Sequence, residues 1–229
     1  MKQLRTLLVT FNNSIGSDQI SAFRGAVVRK VGKENLLFHN HINEEQLAYR
    51  YPLIQYKRLF DQPAIFCVAA GVDEIHRLFE KKDWTIQLAD QKINLEVDRL
   101  DLKSSKLNVW DKLFPYRISN WLALNHHNYQ KYTQLKGLRE KIAFLERLLT
   151  GNILSFAKGV DWQIEKPIKV EIQDLKGQKM VKYKGTPLMA FDVDFNCNVY
   201  LPNYLGLGKS ASHGFGVVRQ FRTKKNEDE

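Results

Sequence analysis

A chain of 229 residues, 44% hydrophobic and 11% aromatic, can bury a core as one large domain or two small ones, which excludes a disordered chain. Its formal net charge of +10 points to a polyanionic partner. No apolar run approaches the ~20 residues that span a bilayer, and the stretch from Met1 lacks signal-peptide organisation, so a soluble cytoplasmic protein with no membrane partner is expected.

Leu4 to Asn12 is rich in β-formers and makes a first strand. Ser17 or Asp18 can N-cap a helix over 19–29, with apolar residues at Ile20, Phe23, Val27 and Val28. A polar stretch over 33–45 carries His39 and His41, and strands follow at 49–58 and 64–70. Gly71 breaks the run, the spacing of Val72, Ile75, Leu78 and Phe79 predicts a helix over 72–82, and strands at 84–88 and 93–100 close the half. The order is β-α-β-β-α-β with room for one extra strand, the ferredoxin-like pattern.

The second half predicts a strand at 116–124 and a long helical stretch over 128–156 that Gly137 and Gly151 can interrupt. A hairpin over 168–172 and 180–184, joined by Leu175-Lys-Gly-Gln, precedes strands at 188–199 and 217–221. Residues 200–205, with Pro202, leave little room for a second helix. The expected fold is α+β, two tandem ferredoxin-like domains with antiparallel sheets: 1–104, 105–223, then a charged tail at 224–229. Cys67 and Cys197 stand far apart in apolar runs and are expected as buried free thiols, and no Cys/His spacing resembles a zinc site.

The most informative segment is Gly206-Leu-Gly-Lys-Ser-Ala-Ser-His-Gly-Phe-Gly216. Glycine admits φ > 0 and brings backbone N–H groups against a ligand, and N–H groups turned inward form an anion-binding concavity. The plainer alternative is a tight turn that needs glycine for its own geometry. Lys209 among the glycines favours phosphate, which makes Gly206, Gly208, Lys209, Ser210, His213, Gly214 and Gly216 candidate nucleic-acid contacts. Gly208-Lys209-Ser210 is not a Walker A motif, because Asn203 stands where its first glycine belongs.

His39-Asn-His41, followed by Tyr49-Arg-Tyr-Pro-Leu-Ile-Gln-Tyr-Lys57, is the second cluster. Histidine takes and gives a proton near neutral pH, so two in one loop can share general base and general acid. Period-2 alternation puts Tyr49, Tyr51, Gln55 and Lys57 on one face of the following strand and Arg50, Ile54, Tyr56 and Arg58 on the other. Either face offers the aromatic and cationic groups that stack bases and pair phosphates. An exposed His-Asn-His turn beside a tyrosine-rich edge strand is the bland alternative. His126 and His127 open a helix and fit exposed first-turn residues. No Asp/Glu/His set suited to Mg²⁺ stands out, so no metal or other cofactor is expected.

Together these features resemble the CRISPR repeat-processing endoribonucleases of the RAMP superfamily, the Cas6 family. The glycine loop, a histidine just after the first helix and the two ferredoxin-like halves carry the resemblance. Phe38-His-Asn-His41 with Tyr51-Pro-Leu-Ile-Gln-Tyr-Lys57 looks like the branch with a histidine pair. The resemblance implies cleavage of CRISPR precursor RNA within its repeats, without metal, leaving a 2′,3′-cyclic phosphate and a 5′-hydroxyl. It makes His39 and His41 the proton-transfer candidates, either of them base or acid. Tyr49 and Tyr51 are weaker candidates, and Lys57, Arg24 or Arg50 would stabilise charge on the phosphoryl oxygens. The implied partner is CRISPR repeat RNA, with other CRISPR effector subunits a further possibility, and the protein would be a monomer or homodimer. RAMP proteins also build effector backbones, so a non-catalytic RNA-binding subunit is the alternative.

Overall fold

Residues 1–39 and 51–221 are described by the computed structural model. The chain divides into two units, the first built from Met1–Lys106, Ser155–Gln163 and Ser210–Gly214, the second from Leu107–Leu154, Ile164–Lys209 and the chain from Phe215.

In the first unit, β1 (Lys2–Phe11) alternates its side chains, sending Leu7, Val9 and Phe11 into the core. A 3₁₀ turn at Ser17–Gln19 leads into α1 (Ile20–Val31), which buries Phe23, Ala26, Val27 and Val31 as one stripe. Neither Ser17 nor Asp18 caps it. Gly16 precedes the turn and donates its N–H to Gln19 Oε1 at 2.7 Å. β2 (Ile54–Leu59) and β3 (Gln62–Val68) form an antiparallel hairpin through Phe60-Asp61, both at positive φ as a two-residue primed turn demands.

The single helix expected over 72–82 is two short ones, α2 (Ala70–Glu74) and α3 (His76–Phe79). Gly71, Ile75 and Leu78 alone are buried there, too few anchors to sustain a longer helix. The strand expected over 93–100 is also divided. β4 (Thr85–Leu88) pairs with β5 (Gln91–Asn94), and a new strand, β6 (Val97–Leu107), starts after buried Leu95. Asn13 holds the bend, donating to Asn94 O and accepting from Glu96 N–H. The main sheet has the order β2-β3-β1-β6, the ferredoxin-like arrangement with the β4–β5 hairpin inserted before its fourth strand.

The second unit repeats the plan. β7 (Val109–Trp121) is followed by α4 (His126–Gln134), N-capped by Asn125, and α5 (Leu138–Gly159). The long helical stretch thus breaks beside Gly137, whereas Gly151 stays inside α5. β8 (Val170–Tyr183) and β9 (Thr186–Val199) pair along their whole lengths. The expected turn at Leu175-Lys-Gly-Gln is instead strand, with register shifts between Ile172 and Asp174 and between Leu175 and Gly177. The hairpin turns at Lys184-Gly185, both at positive φ. Between β9 and β10 (Val217–Gln220) the described helical structure is one 3₁₀ turn, Ala211–His213, in place of a second helix. The antiparallel sheet order β10-β7-β9-β8 is again fourth-first-third-second. Both units are ferredoxin-like. Cys67 and Cys197 are buried and unbridged, and burial pushes the Cys197 thiol up to about 11.

Candidate nucleic-acid interface and catalytic cluster

Where α1 ends, Gly32 at φ 106° turns the chain and Asn35 Nδ2 donates to Val31 O at 2.8 Å. A 3₁₀ turn at Leu36–Phe38 then buries Phe38 and leaves His39 half-buried at its end. Three hydrogen bonds fix this point. Arg24 Nη2, from α1, donates to His39 O at 2.6 Å. Tyr56 OH, from β2, donates to Phe38 O at 3.2 Å. The His39 ring places Nε2 2.6 Å from Lys33 O, and a carbonyl only accepts, so Nε2 carries the proton and Nδ1 is the basic nitrogen of the neutral ring. Burial pushes the Tyr56 phenol far above its ordinary value, so its hydroxyl stays a donor.

Within the same unit, the 3₁₀ turn Ala211–His213 lies against α1 and β2. A Cβ on Gly214 would stand 3.0 Å from Ile20 Cδ1 and 3.4 Å from Tyr56 O. His213 N–H donates to Ser210 O, and its Nδ1 lies 3.0 Å from Ser212 Oγ. Tyr56 holds the Leu36–Phe38 turn through its hydroxyl, and its carbonyl leaves little room for any side chain at Gly214. The Ala211–His213 turn and the Leu36–Phe38 turn before His39 both pack against β2.

Other expected site residues lie elsewhere. His41, Tyr49 and Arg50 fall outside the described residues. Tyr51 is buried, with Gln55 Nε2 donating to its hydroxyl at 2.8 Å and its ring edge-on to Phe156 at 5.2 Å, so it packs the core. Lys57 is fully buried, its Nζ 6.0 Å from the Phe66 ring centroid and without a hydrogen-bond partner among the described residues. Burial lowers its amine to about 7. His126 and His127 are exposed at the start of α4.

The remaining loop glycines work inside the second unit. Gly208 at φ 85° would put a Cβ 2.7 Å from Trp121 Nε1, and Gly216 at φ 62° one 1.9 Å from Leu207 O. Gly206 bridges to Val217. The N–H groups of Leu207, Lys209 and Gly216 go to the carbonyls of Gly216, Leu122 and Asn120. At Gly208 and Gly216 glycine provides left-handed backbone and close approach to protein. The Lys209 side chain is exposed.

Residues 2–106 match the Cas6b N-terminal domain and residues 108–221 the Cas6b C-terminal domain. The chain belongs to the Cas6b family. A crystal structure of Cas6b is similar at TM-score 0.87 and 28% identity, over 96% of this chain and 100% of that one. A second, described as a CRISPR RNA processing endoribonuclease Cas6b, gives 0.73 and 27% over the same shares. A Methanocaldococcus jannaschii protein described only as uncharacterized is 38% identical over 118 residues, 51% of this chain and 79% of that protein. The type IV Cas6 crRNA endonuclease Csf5, at TM-score 0.54 and 12% identity, shares the fold.

The sequence did not single out Tyr56 or Lys33, the groups that fix Phe38 and the His39 ring in this Cas6b chain. Alternation placed Tyr56 with Arg50, Ile54 and Arg58 on one face of the strand, read only as an aromatic and cationic surface. The Tyr56 hydroxyl bond spans eighteen residues and has no local signature. Among the described residues, no group of three His, Cys, Asp or Glu is placed to hold a metal ion, and no helix is long and apolar enough to cross a membrane.

Proposed function

We propose that this chain is an endoribonuclease that cuts CRISPR precursor RNA within its repeats by attack of a ribose 2′-hydroxyl, without a metal ion. The observation that carries the proposal is the His39 ring, held with its Nε2 2.6 Å from Lys33 O at the end of the 3₁₀ turn. Membership of Cas6b, and the RNA-processing activity described for a relative at 27% identity, supply the substrate class.

In the proposed step, His39 Nδ1 accepts the 2′-hydroxyl proton. The 2′-oxygen bonds to phosphorus as the P–O5′ bond breaks, and the departing 5′-oxygen takes a proton from a second donor, for which His41 is the candidate. The products are a 2′,3′-cyclic phosphate and a 5′-hydroxyl, with electrons and protons in balance. Arg24 holds the His39 backbone and acts as a positioning residue. Lys209, exposed in the glycine loop, contributes charge to RNA binding, and holding the 2′-oxygen in line supplies much of the rate.

End-group analysis of the cut repeat RNA tests the chemistry. The downstream product should accept a 5′-phosphate from polynucleotide kinase directly, and the upstream product should resist 3′ ligation until acid opens its cyclic phosphate and a phosphatase removes the resulting monoester. A 5′-phosphate with a free 3′-hydroxyl would mean that water, not the 2′-oxygen, is the nucleophile.

A further inference from the structure

We infer that the second unit carries a separate site for one unpaired nucleotide of single-stranded RNA, lined by Trp110, Leu113 and Pro167 with Lys112, Lys166 and Lys169 around them. The inference rests on the reading above that RNA is the substrate. The site is a cavity of about 470 Å³ between the start of β7 and the segment that leads into β8. That volume falls within the ~300–1,000 Å³ of small-ligand sites. None of its lining residues belongs to the first unit, which holds His39.

Two features of the sheet build the cavity. Along β7 the ladder with β9 pairs Val109 with Val199 and next Phe114 with Cys197, so β7 advances five residues while β9 advances two. The surplus, within residues 110–113, leaves the ladder and lines the cavity, and an irregularity of this kind re-aims side chains. The rest of the lining comes from the segment before β8, which the buried side chain of Asn198 holds in place. Asn198 Nδ2 donates to Pro167 O at 3.1 Å, and its Oδ1 accepts from Lys169 N–H at 2.8 Å. Lys166, Pro167 and Lys169 are thereby fixed at the cavity rather than left on a loose connection.

The chemistry of the lining selects the ligand. Trp110 is half-buried, its ring edge-on to Phe114 with centroids 6.5 Å apart. Its Nε1 is buried with no hydrogen-bond partner among the described residues, a cost that phenylalanine at this position would not carry. Stacking accounts for a tryptophan kept at that cost beside a cavity, because any nucleobase stacks on its ring. Lys166 reaches Asp111 at 3.9 Å with both side chains exposed, a weak pair that a phosphate can displace. Asp111 and Glu171 also line the cavity. Their carboxylates repel the dense phosphates of a duplex but accept hydrogen bonds from the amino group of a base. An aromatic ring with lysines and carboxylates around it suits one splayed-out nucleotide.

Photocrosslinking of the full chain to repeat RNA carrying 4-thiouridine at its unpaired positions tests the site without a variant. Crosslinked peptides should contain residues 110–113 or 166–169. In binding assays Trp110→Leu and Lys166→Glu/Lys169→Glu should each weaken RNA affinity roughly 10-fold or more, whereas Trp110→Phe should bind like wild type and melt higher. Lys131→Glu/Lys136→Glu, an equal charge change at exposed lysines of the same unit, should weaken it less. Single-turnover cleavage at saturating protein should be unchanged in every variant. A wild type that neither binds nor cuts the repeat RNA would overturn the reading of function and this inference with it. Repeat RNA that the wild type binds and cuts, but that crosslinks only elsewhere or is weakened no more by the cavity variants than by the control pair, would overturn this inference alone.

Discussion

His39 gains its chemical meaning from atoms that are not its own. Lys33 O holds the proton on Nε2, Arg24 fixes the backbone carbonyl, and Tyr56 fixes the residue before it. Lys57, on the same strand as Tyr56, has the opposite character: an amine buried with no hydrogen-bond partner among the described residues, its folded value near 7 against an ordinary 10.5. Between those two values the unfolded chain binds more protons, so stability rises with pH there. The penalty is complete below pH 7 and fades as pH rises through the unfolded value. Lys57→Met should therefore stabilise the protein by on the order of a few kcal/mol at pH 7, with the gain shrinking toward pH 10. Thermal melts of both proteins across that range check it; a gain independent of pH would mean Lys57 is paired. In the sequence Lys57 stands on an aromatic and cationic face of the strand, and the family resemblance implied for it a charge-stabilising role. Alternation put it on one face of β2, but what covers that face depends on contacts far along the chain.

Among the elements, the glycine loop shows most clearly what a sequence reveals and what it conceals. Four glycines announce special backbone, and positive φ at Gly208, Gly214 and Gly216 agrees. They do not announce that the close neighbour is protein, because Trp121, Ile20 and Leu207 O approach only once the sheets have formed. Gly177 misled in the other direction: a turn-like Leu175-Lys-Gly-Gln is an irregularity inside β8, where pairing with β9 overrides local turn preference. Helix boundaries were more legible, since Gly137 marks the break between α4 and α5. Gly216→Ala should cost roughly 3 kcal/mol or more, from strain at φ > 0 and the clash with Leu207 O. Gly151→Ala, in the open middle of α5, should stabilise by about 1 kcal/mol. Urea unfolding of the pair distinguishes them; equal effects would show that the loop relaxes around a new Cβ.

For the molecule as a whole, two ferredoxin-like units were legible because each strand-helix order leaves few permitted topologies. The shared membership of Ser155–Gln163 and Ser210–Gly214 in the first unit was not, since those segments sit within the second half of the sequence. A chain of formal charge +10 that binds RNA through phosphates releases counterions, so affinity for repeat RNA should fall steeply between low and moderate salt. Lys209→Ala should weaken that affinity and flatten the slope by about one unit, with single-turnover cleavage at saturation nearly unchanged. A large loss of saturated rate would place Lys209 in the chemistry.

The proposed cleavage is a 2′-hydroxyl attack assisted by His39 and needing no metal. Its most direct test is cleavage of the repeat RNA from the matching CRISPR array in EDTA, by wild type and His39→Ala, beside the same RNA with one 2′-deoxy residue at the cut site. Cutting by the wild type in EDTA, lost with the deoxy substrate and reduced by ~100-fold or more in His39→Ala while RNA binding persists, is the expected result. Cutting that stops in EDTA, or that continues on the deoxy RNA, would contradict it.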